Sequence, residues 1–241
     1  MSFPGRIKEF KPPSTYHYSL KLLNHERTLE YNNKTCVACG ICTHVCPIEG
    51  DVIVTGDSGS EKIKVDVEKC VHCGTCAYFC TSGALKLFIN GEERIEIREP
   101  AGELERHSLP DFKPIMLTQK DTGAEIKKYL TGSLNIPPSL DKASVQAAVK
   151  ACPTGALSEK KGKLVKDDNK CFYCDACSRE TGGKITVNRS GILMEIEKGV
   201  PPLVKRVLDR LMGEMNATKI LKGVSGAKGT LQTSLLMAGK N

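Results

Sequence analysis

The chain has 241 residues, of which 40% are hydrophobic and 5% aromatic with no Trp, so a large apolar core is not expected. Its 12 Cys are too many for an ordinary protein of a reducing compartment and too few for a small disulfide scaffold, so they are expected to act together as ligands. The formal charge is +7, and neither a secretory leader nor a run of about 18 apolar residues occurs, so we expect a cytoplasmic protein without membrane insertion.

Two Cys-rich runs of identical spacing follow residues 1–30, which we interpret as an N-terminal arm. The first is Cys36-x2-Cys39-x2-Cys42-x3-Cys46, with Pro47 next, and the second is Cys70-x2-Cys73-x2-Cys76-x3-Cys80. Three thiolates two residues apart reach three corners of one [4Fe–4S] cluster, whereas the fourth Cys of such a run binds the neighbouring cluster. This crossed rule predicts two ligand sets: Cys36, Cys39, Cys42 and Cys80 for one cluster, and Cys46, Cys70, Cys73 and Cys76 for the other.

The stretches after both runs are typical of β-hairpins. β-Branched residues alternate around Gly-rich turn residues, and Asn90-Gly91 is the strongest two-residue hairpin signal. Two hairpins around two clusters predict a ferredoxin-like module over residues 31–98, with a short helical turn near each fourth Cys. The predicted fold class is therefore α+β, with hairpins and short helices built around clusters.

Residues 99–140 break this rhythm, because five Pro residues are scattered through charged sequence. Scattered Pro residues disfavour regular structure, so we interpret this segment as a linker or insertion between two modules. A short helix is predicted within it, over residues 124–130.

The remaining four Cys are Cys152, which Pro153 follows, and the run from Cys171 through Cys174 to Cys177. By offset, Cys152 corresponds to the last Cys of the first run, and the other three correspond to the first three of the second run. The offsets of the partner site fall on residues that do not bind clusters, namely Lys142, Val145, Ala148 and Thr181. One whole site is therefore predicted to be lost and one to remain, with the ligands Cys152, Cys171, Cys174 and Cys177.

Residues 141–199 are thus predicted to form a second, degenerate ferredoxin-like module with one cluster, which gives three [4Fe–4S] clusters in the chain. A helix over residues 143–150, with Asp141 as its N-cap, is predicted where a ligand loop would otherwise stand. Two hairpins are expected as well, one of them after Cys177 with its turn at Ser190-Gly191.

Residues 200–241 are predicted to form a C-terminal helix and a tail. Apolar residues recur on one helical face from Leu203 to Met215, after Pro201-Pro202. We expect this helix to pack on the second module, and a docking surface for a partner is the alternative. The Gly-rich stretch after Lys222 is expected to be mobile.

Zinc is the main alternative to iron–sulfur clusters. A closed tetrahedral zinc site uses two separated Cys-x2-Cys pairs, and a third Cys two residues further on has no role in it. Zinc therefore fits the first two runs poorly, and it remains open for the set that includes Cys152. Disulfides are disfavoured in a reducing compartment, and a radical S-adenosylmethionine site would need a lone Cys triplet.

Other polar residues carry less information. His44 and His72 lie inside the Cys loops and could hydrogen-bond cluster sulfur, but exposed loop positions without such a role are the expectation. Three clusters at about −2 each would bring the charge of the holoprotein near +1. The basic apoprotein therefore gives no reason to expect nucleic acid as a partner.

With this Cys pattern, residues 31 to about 197 resemble the polyferredoxin family, and residues 31–97 resemble a bacterial two-cluster ferredoxin. The combination of LEYNNKTCVACGICTHVCP with the insertion and AVKACPTGALSEKKGKLVKDDNKCFYCDAC is similar to the polyferredoxin subunits of archaeal formylmethanofuran dehydrogenases. The chain departs from the family at Thr81, where Pro often follows the Cys, and at the four lost ligand positions. The resemblance implies a partner enzyme of methanogenesis that reduces CO2 with low-potential electrons.

The sequence predicts an electron-transfer subunit that has no catalytic site of its own, because three closed sites leave no open metal position and no nucleophile with its base is recognisable. The expected partners are other subunits of a redox complex and a soluble ferredoxin or another iron–sulfur protein. Two alternatives remain at this point. One is a scaffold subunit with structural clusters, and the other is a freely diffusing carrier, which the arm, insertion and terminal helix fit less well.

Overall fold

The computed structural model describes residues 5–56, 61–99, 102–195 and 200–212. The chain divides into two compact units: unit 1 comprises Met1–Pro110 and Val200–Leu211, and unit 2 comprises Asp111–Gly199 and Met212–Asn241. Short strands with a few short helices make up both units, which confirms the α+β class. No helix in the described part of the chain combines the length and the hydropathy needed to span a membrane.

Unit 1 is built from nine strands and two short helices before the chain leaves it. In chain order these are β1 (Gly5–Lys11), β2 (Thr15–Lys21), β3 (Glu26–Asn32), α1 (Ile41–Val45), β4 (Ile53–Thr55), β5 (Ile63–Val65), α2 (Thr75–Tyr78), β6 (Leu85–Ile89), β7 (Glu92–Glu93), β8 (Glu96–Glu99), β9 (Gly102–Glu105) and a 3₁₀ turn (Arg106–Ser108). The largest sheet is antiparallel in the order β1-β2-β3-β6-β7.

Within the segment predicted as an N-terminal arm, residues 5–32 contribute β1, β2 and β3 to this sheet. Strand β3 pairs with β6 from Arg27 opposite Ile89 to Tyr31 opposite Leu85. Alternate side chains of a strand point to one face, and here Tyr18, Leu29 and Tyr31 are buried on such faces. The sheet therefore incorporates residues 5–32 into unit 1.

The predicted local elements of unit 1 are confirmed. Strands β4 and β5 form the first hairpin, and β6 and β7 form the second. Asn90 and Gly91 have φ of +51° and +84°, which the two-residue turn between twisted strands requires. Helix α1 ends directly before Cys46, and α2 ends two residues before Cys80.

The described part of unit 2 contains four separate strand pairs and two helices. Its elements are β10 (Asp111–Phe112), β11 (Ile115–Thr118), β12 (Glu125–Lys128), β13 (Leu130–Asn135), α3 (Lys142–Ala151), β14 (Leu157–Lys160), β15 (Lys163–Lys166), α4 (Ala176–Glu180), β16 (Thr186–Ile192) and β17 (Met194–Glu195). The antiparallel pairs are β10 with β17, β11 with β12, β13 with β16, and β14 with β15.

The segment between the two Cys-rich regions has more regular structure than its Pro residues predict. The helix predicted over residues 124–130 is wrong, because β12 and β13 occupy that segment. Ile126 and Lys128 are buried and Lys127 is exposed, which is the alternation of a strand. Pairing with β11 stabilises the extended conformation of β12.

The hairpin turn predicted at Ser190-Gly191 is also wrong. Strand β16 runs through both residues, and β13 is its partner. The register shifts so that Thr131 faces Gly191 and Gly132 faces Arg189, which leaves Ser190 as a bulge. A Cβ at Gly132 would lie 2.1 Å from the carbonyl oxygen of Asn188, so only Gly permits this close pairing.

Helix α3 is confirmed together with its N-cap. Asp141 Oδ1 accepts a hydrogen bond from Ser144 N at 2.9 Å, and Lys184 Nζ approaches Asp141 Oδ2 at 2.7 Å. The helix packs against α4, and Val145 and Ala148 are buried.

The last described helix, α5 (Pro202–Leu211), packs in unit 1 rather than on the second Cys-rich module, so that prediction is wrong. It lies against α1, and Leu203 N donates to Glu99 Oε1 at 2.9 Å. Its apolar face is buried, from Leu203 to Leu211. Met215 and the tail lie outside the described residues.

Candidate metal centres

The three Cys-x2-Cys-x2-Cys loops share one backbone conformation. In each loop, the residues immediately before and after the second Cys have positive φ; these pairs are Ala38 and Gly40 (51° and 70°), His72 and Gly74 (52° and 84°), and Tyr173 and Asp175 (57° and 72°). A left-handed residue other than Gly costs about 1–2 kcal/mol, so its recurrence at one position marks a functional constraint. The third loop therefore has the same local geometry as the two loops of the first module.

Each loop leads directly into a short helix that carries its third Cys. Helices α1, α2 and α4 begin one residue before Cys42, Cys76 and Cys177, respectively. In the second loop this path also needs Gly74, because a Cβ there would lie 2.1 Å from the carbonyl oxygen of Glu96. The tight turn thus places three thiols on one side of a short segment.

The first group joins Cys80 to the loop of the first run. Burial, and then the neighbouring thiols of Cys80 and Cys36, together raise the pKa of Cys39 to about 11. The pKa of Cys42 is raised well above its usual range by burial and then by the thiols of Cys39, Cys36 and Cys80. The structure therefore places the fourth Cys of the second run beside the first three Cys of the first.

The second group lies around a cavity of about 350 Å³. Burial, with smaller contributions from the thiols of Cys73 and Cys46, raises the pKa of Cys70 to about 11. The remaining wall is mainly apolar, with Leu29, Val52 and Ile53 among its residues. The four Cys that line this cavity are Cys46, Cys70, Cys73 and Cys76.

The third group lies around a cavity of about 320 Å³ in unit 2. Burial, and then the thiols of Cys171 and Cys152, together raise the pKa of Cys177 to about 11. Leu134, Leu157 and Val187 contribute apolar wall. The four Cys that line this cavity are Cys152, Cys171, Cys174 and Cys177.

The donor sets fit a multi-atom cluster better than a single zinc ion. All twelve Cys lie in the described residues and are free thiols, so none forms a disulfide. Four ligands of one zinc ion converge to about 2.3 Å from it. No three Cys, His, Asp or Glu side chains within the described ranges converge closely enough to hold one ion. The buried thiols need a cationic centre to become thiolates, and a group wider than one ion would fit the space between them.

Backbone N–H groups donate to several of the Cys sulfurs. Ala38 N lies 3.4 Å from Cys36 Sγ, Leu85 N lies 3.4 Å from Cys80 Sγ, and Ala156 N lies 3.2 Å from Cys152 Sγ. Such N–H groups stabilise negative charge on sulfur and raise the reduction potential of a bound cluster.

Of the four residues at the offsets of the predicted lost site, three are buried and one is exposed to solvent. Val145, Ala148 and Thr181 are buried, and Lys142 is exposed. Thr181 Oγ1 accepts a hydrogen bond from Ile185 N at 3.3 Å, as Cys152 Sγ does from the amide four residues later. The Thr181 hydroxyl thus accepts the same kind of backbone hydrogen bond that the Cys152 sulfur accepts.

The two His residues in the loops differ. His44 is exposed, as expected. His72 is 2% exposed, so the expectation of an exposed loop position is wrong. Its ring nitrogens lie 3.1 Å from Cys70 O and 3.0 Å from Tyr18 O, and burial lowers its pKa to about 4. Strand β2, which was not predicted, supplies the second contact.

Cationic side chains on the loop carbonyls are functional features that the sequence did not reveal. Lys62 Nζ donates to Cys36 O at 2.6 Å, and Arg6 Nη1 donates to Cys70 O at 2.6 Å. Arg27 and Arg189 donate to carbonyls of the second and third loops. These contacts depend on long-range packing, which no local spacing signals.

Comparison with known proteins agrees with this geometry. Residues 28–81, which contain eight of the Cys, match the family model of a 4Fe-4S dicluster domain. Comparison with curated proteins gives no match. Among solved structures, the fold is similar to a chain of the formate dehydrogenase–heterodisulfide reductase–formylmethanofuran dehydrogenase complex from Methanospirillum hungatei. The TM-score is 0.65 at 19% identity, over 88% of this chain and 92% of that chain. Residues 28–81 are therefore similar to a 4Fe-4S dicluster domain, and the chain shares its fold with that chain.

Proposed function

We propose that this chain is an electron-transfer subunit that relays low-potential electrons through three [4Fe–4S] clusters to or from a partner oxidoreductase. The observation that carries the proposal is the gathering of twelve free thiols into three groups, two of which line cavities of about 350 and 320 Å³. Bound clusters of this kind supply one-electron transfer at low potential. The match of residues 28–81 to a 4Fe-4S dicluster domain supports the first two sites.

The ligand sets that we propose follow the crossed rule. Cluster 1 is held by Cys36, Cys39, Cys42 and Cys80, cluster 2 by Cys46, Cys70, Cys73 and Cys76, and cluster 3 by Cys152, Cys171, Cys174 and Cys177. The electrostatic coupling of Cys80 to Cys39, and of Cys46 to Cys70, supports the crossing in unit 1. The repeated left-handed backbone at Tyr173 and Asp175 supports a third site of the same kind.

The protein's own residues prepare these sites for electron transfer rather than for substrate chemistry. Apolar walls such as Leu29 and Val187 keep water from the sulfurs, and backbone N–H groups stabilise the charge on them. Four Cys per site complete the coordination, so no metal position is open to a substrate. We therefore propose no catalytic site in this subunit.

We propose that this chain is a subunit of a multi-subunit redox complex in the cytoplasm. The specific partner that we propose is a CO2-reducing formylmethanofuran dehydrogenase. The similar chain from Methanospirillum hungatei, which belongs to a complex with that enzyme, supports this proposal. The N-terminal strands and α5 are packed in unit 1, so they no longer argue against a diffusing carrier. Gel filtration of native extract separates the two, because a subunit elutes in a large complex and a carrier as a monomer.

Redox titration with Cys variants tests the proposal against a scaffold role. The wild-type protein is titrated anaerobically with dithionite and followed by EPR, and about three one-electron steps are expected. Cys174→Ser is then compared with Ser178→Ala, a nearby control that removes no thiol. A relay subunit loses electron throughput in Cys174→Ser while its complex persists, whereas a scaffold subunit loses the complex. Absence of reducible iron–sulfur signals in the wild-type protein would contradict the proposal.

A further inference from the structure

Two arginines make the same contact with two different Cys loops. Arg27 Nε on β3 donates to the carbonyl oxygen of His72 at 2.8 Å, and Arg189 Nε on β16 donates to that of Tyr173 at 3.0 Å. His72 and Tyr173 are both the left-handed residue before the second Cys of their loops. The two strands belong to different units and have different partner strands. Each nevertheless places one guanidinium on the equivalent carbonyl of a Cys loop.

Each of the two guanidinium groups also has one nitrogen donor without an acceptor. The Nη2 atoms of Arg27 and Arg189 are buried and have no hydrogen-bond partner among the described residues. Buried cationic donors are normally satisfied, and an orphan at one of them calls for an acceptor. A Cys loop becomes anionic when its thiols bind a cluster as thiolates, so both orphans stand beside a loop that gains negative charge.

The two arginines differ in their ion pairs. Arg27 Nη1 lies 2.7 Å from both Glu96 Oε1 and Glu103 Oε1, so carboxylates offset its charge. For Arg189, the hydrogen bond to Tyr173 is the contact that the described residues show, and they include no ion pair of its side chain. Within the described residues, no carboxylate is paired with Arg189, whereas two are paired with Arg27.

We propose that Arg189 is a positioning residue that fixes the third Cys loop and raises the reduction potential of cluster 3. This inference rests on the proposed function. One-electron reduction by an external donor adds one negative charge to the cluster and its thiolates, and a nearby uncompensated cation stabilises that added charge. Arg27 fixes the second loop in the same way, but Glu96 and Glu103 reduce its effect on the potential of cluster 2.

The test is an anaerobic dithionite titration of the full-length, cluster-loaded protein, followed by EPR. The midpoint of cluster 3 is identified as the one that disappears in Cys174→Ser. In Arg189→Gln, the equilibrium constant for reducing this cluster is expected to fall about tenfold, which is about 59 mV for one electron. Arg189→Lys keeps the charge and is expected to restore most of the potential. Arg94→Gln, which removes an exposed Arg paired with Glu92 at 3.0 Å, is the control and shifts no midpoint.

Several results would overturn the inference. They are an unchanged midpoint in Arg189→Gln, an equal shift in the Lys and Gln variants, or a shift of all three midpoints. Arg189→Met, which keeps an apolar stem without charge, decides the outcome if the Gln variant does not assemble cluster 3. A wild-type protein with three reducible clusters but no effect of Arg189 contradicts only this inference, whereas a wild-type protein that lacks the third contradicts the proposed function at that site.

Discussion

The two Cys-rich regions of this chain contain loops of the same backbone conformation and differ in the residues at the remaining ligand positions. In unit 1, the fourth Cys of each run lies by the loop of the other run, so two groups of four are complete. In unit 2, one group is complete, and the offsets of the other hold Lys142, Val145, Ala148 and Thr181. The crossed ligand sets that we propose imply that a site of this kind is retained or lost as a whole.

The difference also shows what can replace a cluster in a small core. Helix α3 has ten residues, an Asp141 N-cap and buried Val145 and Ala148, and it packs against α4. The Thr181 hydroxyl accepts the backbone N–H of Ile185. Under the proposed ligand assignment, apolar burial and ordinary hydrogen bonds stand at the offsets where a second cluster would otherwise have metal–thiolate bonds.

The largest expected effect is on the crossed ligand sets of unit 1. Cys80→Ser combined with Cys39→Ser removes two ligands of one proposed cluster, so about four iron atoms per chain are lost. Cys80→Ser combined with Cys73→Ser removes one ligand from each cluster, so about eight are lost. Iron analysis of the two double variants measures the difference. A loss of about eight iron atoms in the first double variant and about four in the second would show that the fourth Cys of each run binds the cluster of its own run.

A smaller effect is expected from the buried ion pair behind the second loop. Arg27→Gln leaves Glu96, which is 3% exposed, without its cation, and should lower the free energy of unfolding by about 3–5 kcal/mol. Thermal denaturation of the cluster-loaded protein measures this loss. Arg94→Gln is the matched control, and it should change the melting temperature little. Equal melting temperatures of the two variants would show that the Arg27 contacts do not hold unit 1 together.

At the lost site, Thr181→Val tests whether the hydroxyl replaces a sulfur contact. The variant keeps the shape of the side chain but leaves the Ile185 amide without its acceptor, so the free energy of unfolding should fall by about 1–2 kcal/mol. Chemical denaturation of the loaded protein gives the value. The iron content should not change, and a loss of iron in this variant would mean that Thr181 supports the remaining cluster.

The smallest effect is expected at the N-cap of α3. The Lys184 ammonium and then Ser144 hold the pKa of Asp141 well below its usual range. A carboxylate with a lowered folded-state pKa stabilises the fold above its unfolded pKa of about 4, and this contribution is lost as the pH falls through the folded value. Asp141→Asn should therefore lower the melting temperature by the same amount at pH 7 and pH 5. If Asp141→Asn lowers the melting temperature less at pH 5 than at pH 7, the lowered pKa of Asp141 is contradicted.

Local spacing predicted the features that depend on a few neighbouring residues. The hairpins after Cys46, Cys80 and Cys152, the short helices and the Asp141 cap are examples. The same spacing predicts the grouping of the Cys residues that we propose as ligand sets.

Features that depend on distant partners could not be read from the sequence. Residues 5–32 become a sheet through pairing with β6, and Ser190-Gly191 remains extended through pairing with β13. The apolar face of α5 was recognised, but its neighbour α1 lies about 160 residues earlier and leaves no local signal. Burial of His72 by β2 and the arginine contacts with the loops have the same origin.

The central claim is that the chain holds three clusters, the third of them in unit 2. The most direct test is iron and acid-labile sulfide per chain on anaerobically purified protein, with an EPR spectrum after dithionite reduction. About twelve of each, with interacting S = 1/2 signals, are predicted. About eight of each, together with zinc that disappears in Cys174→Ser, would show that the third Cys group is a zinc site and would contradict the account.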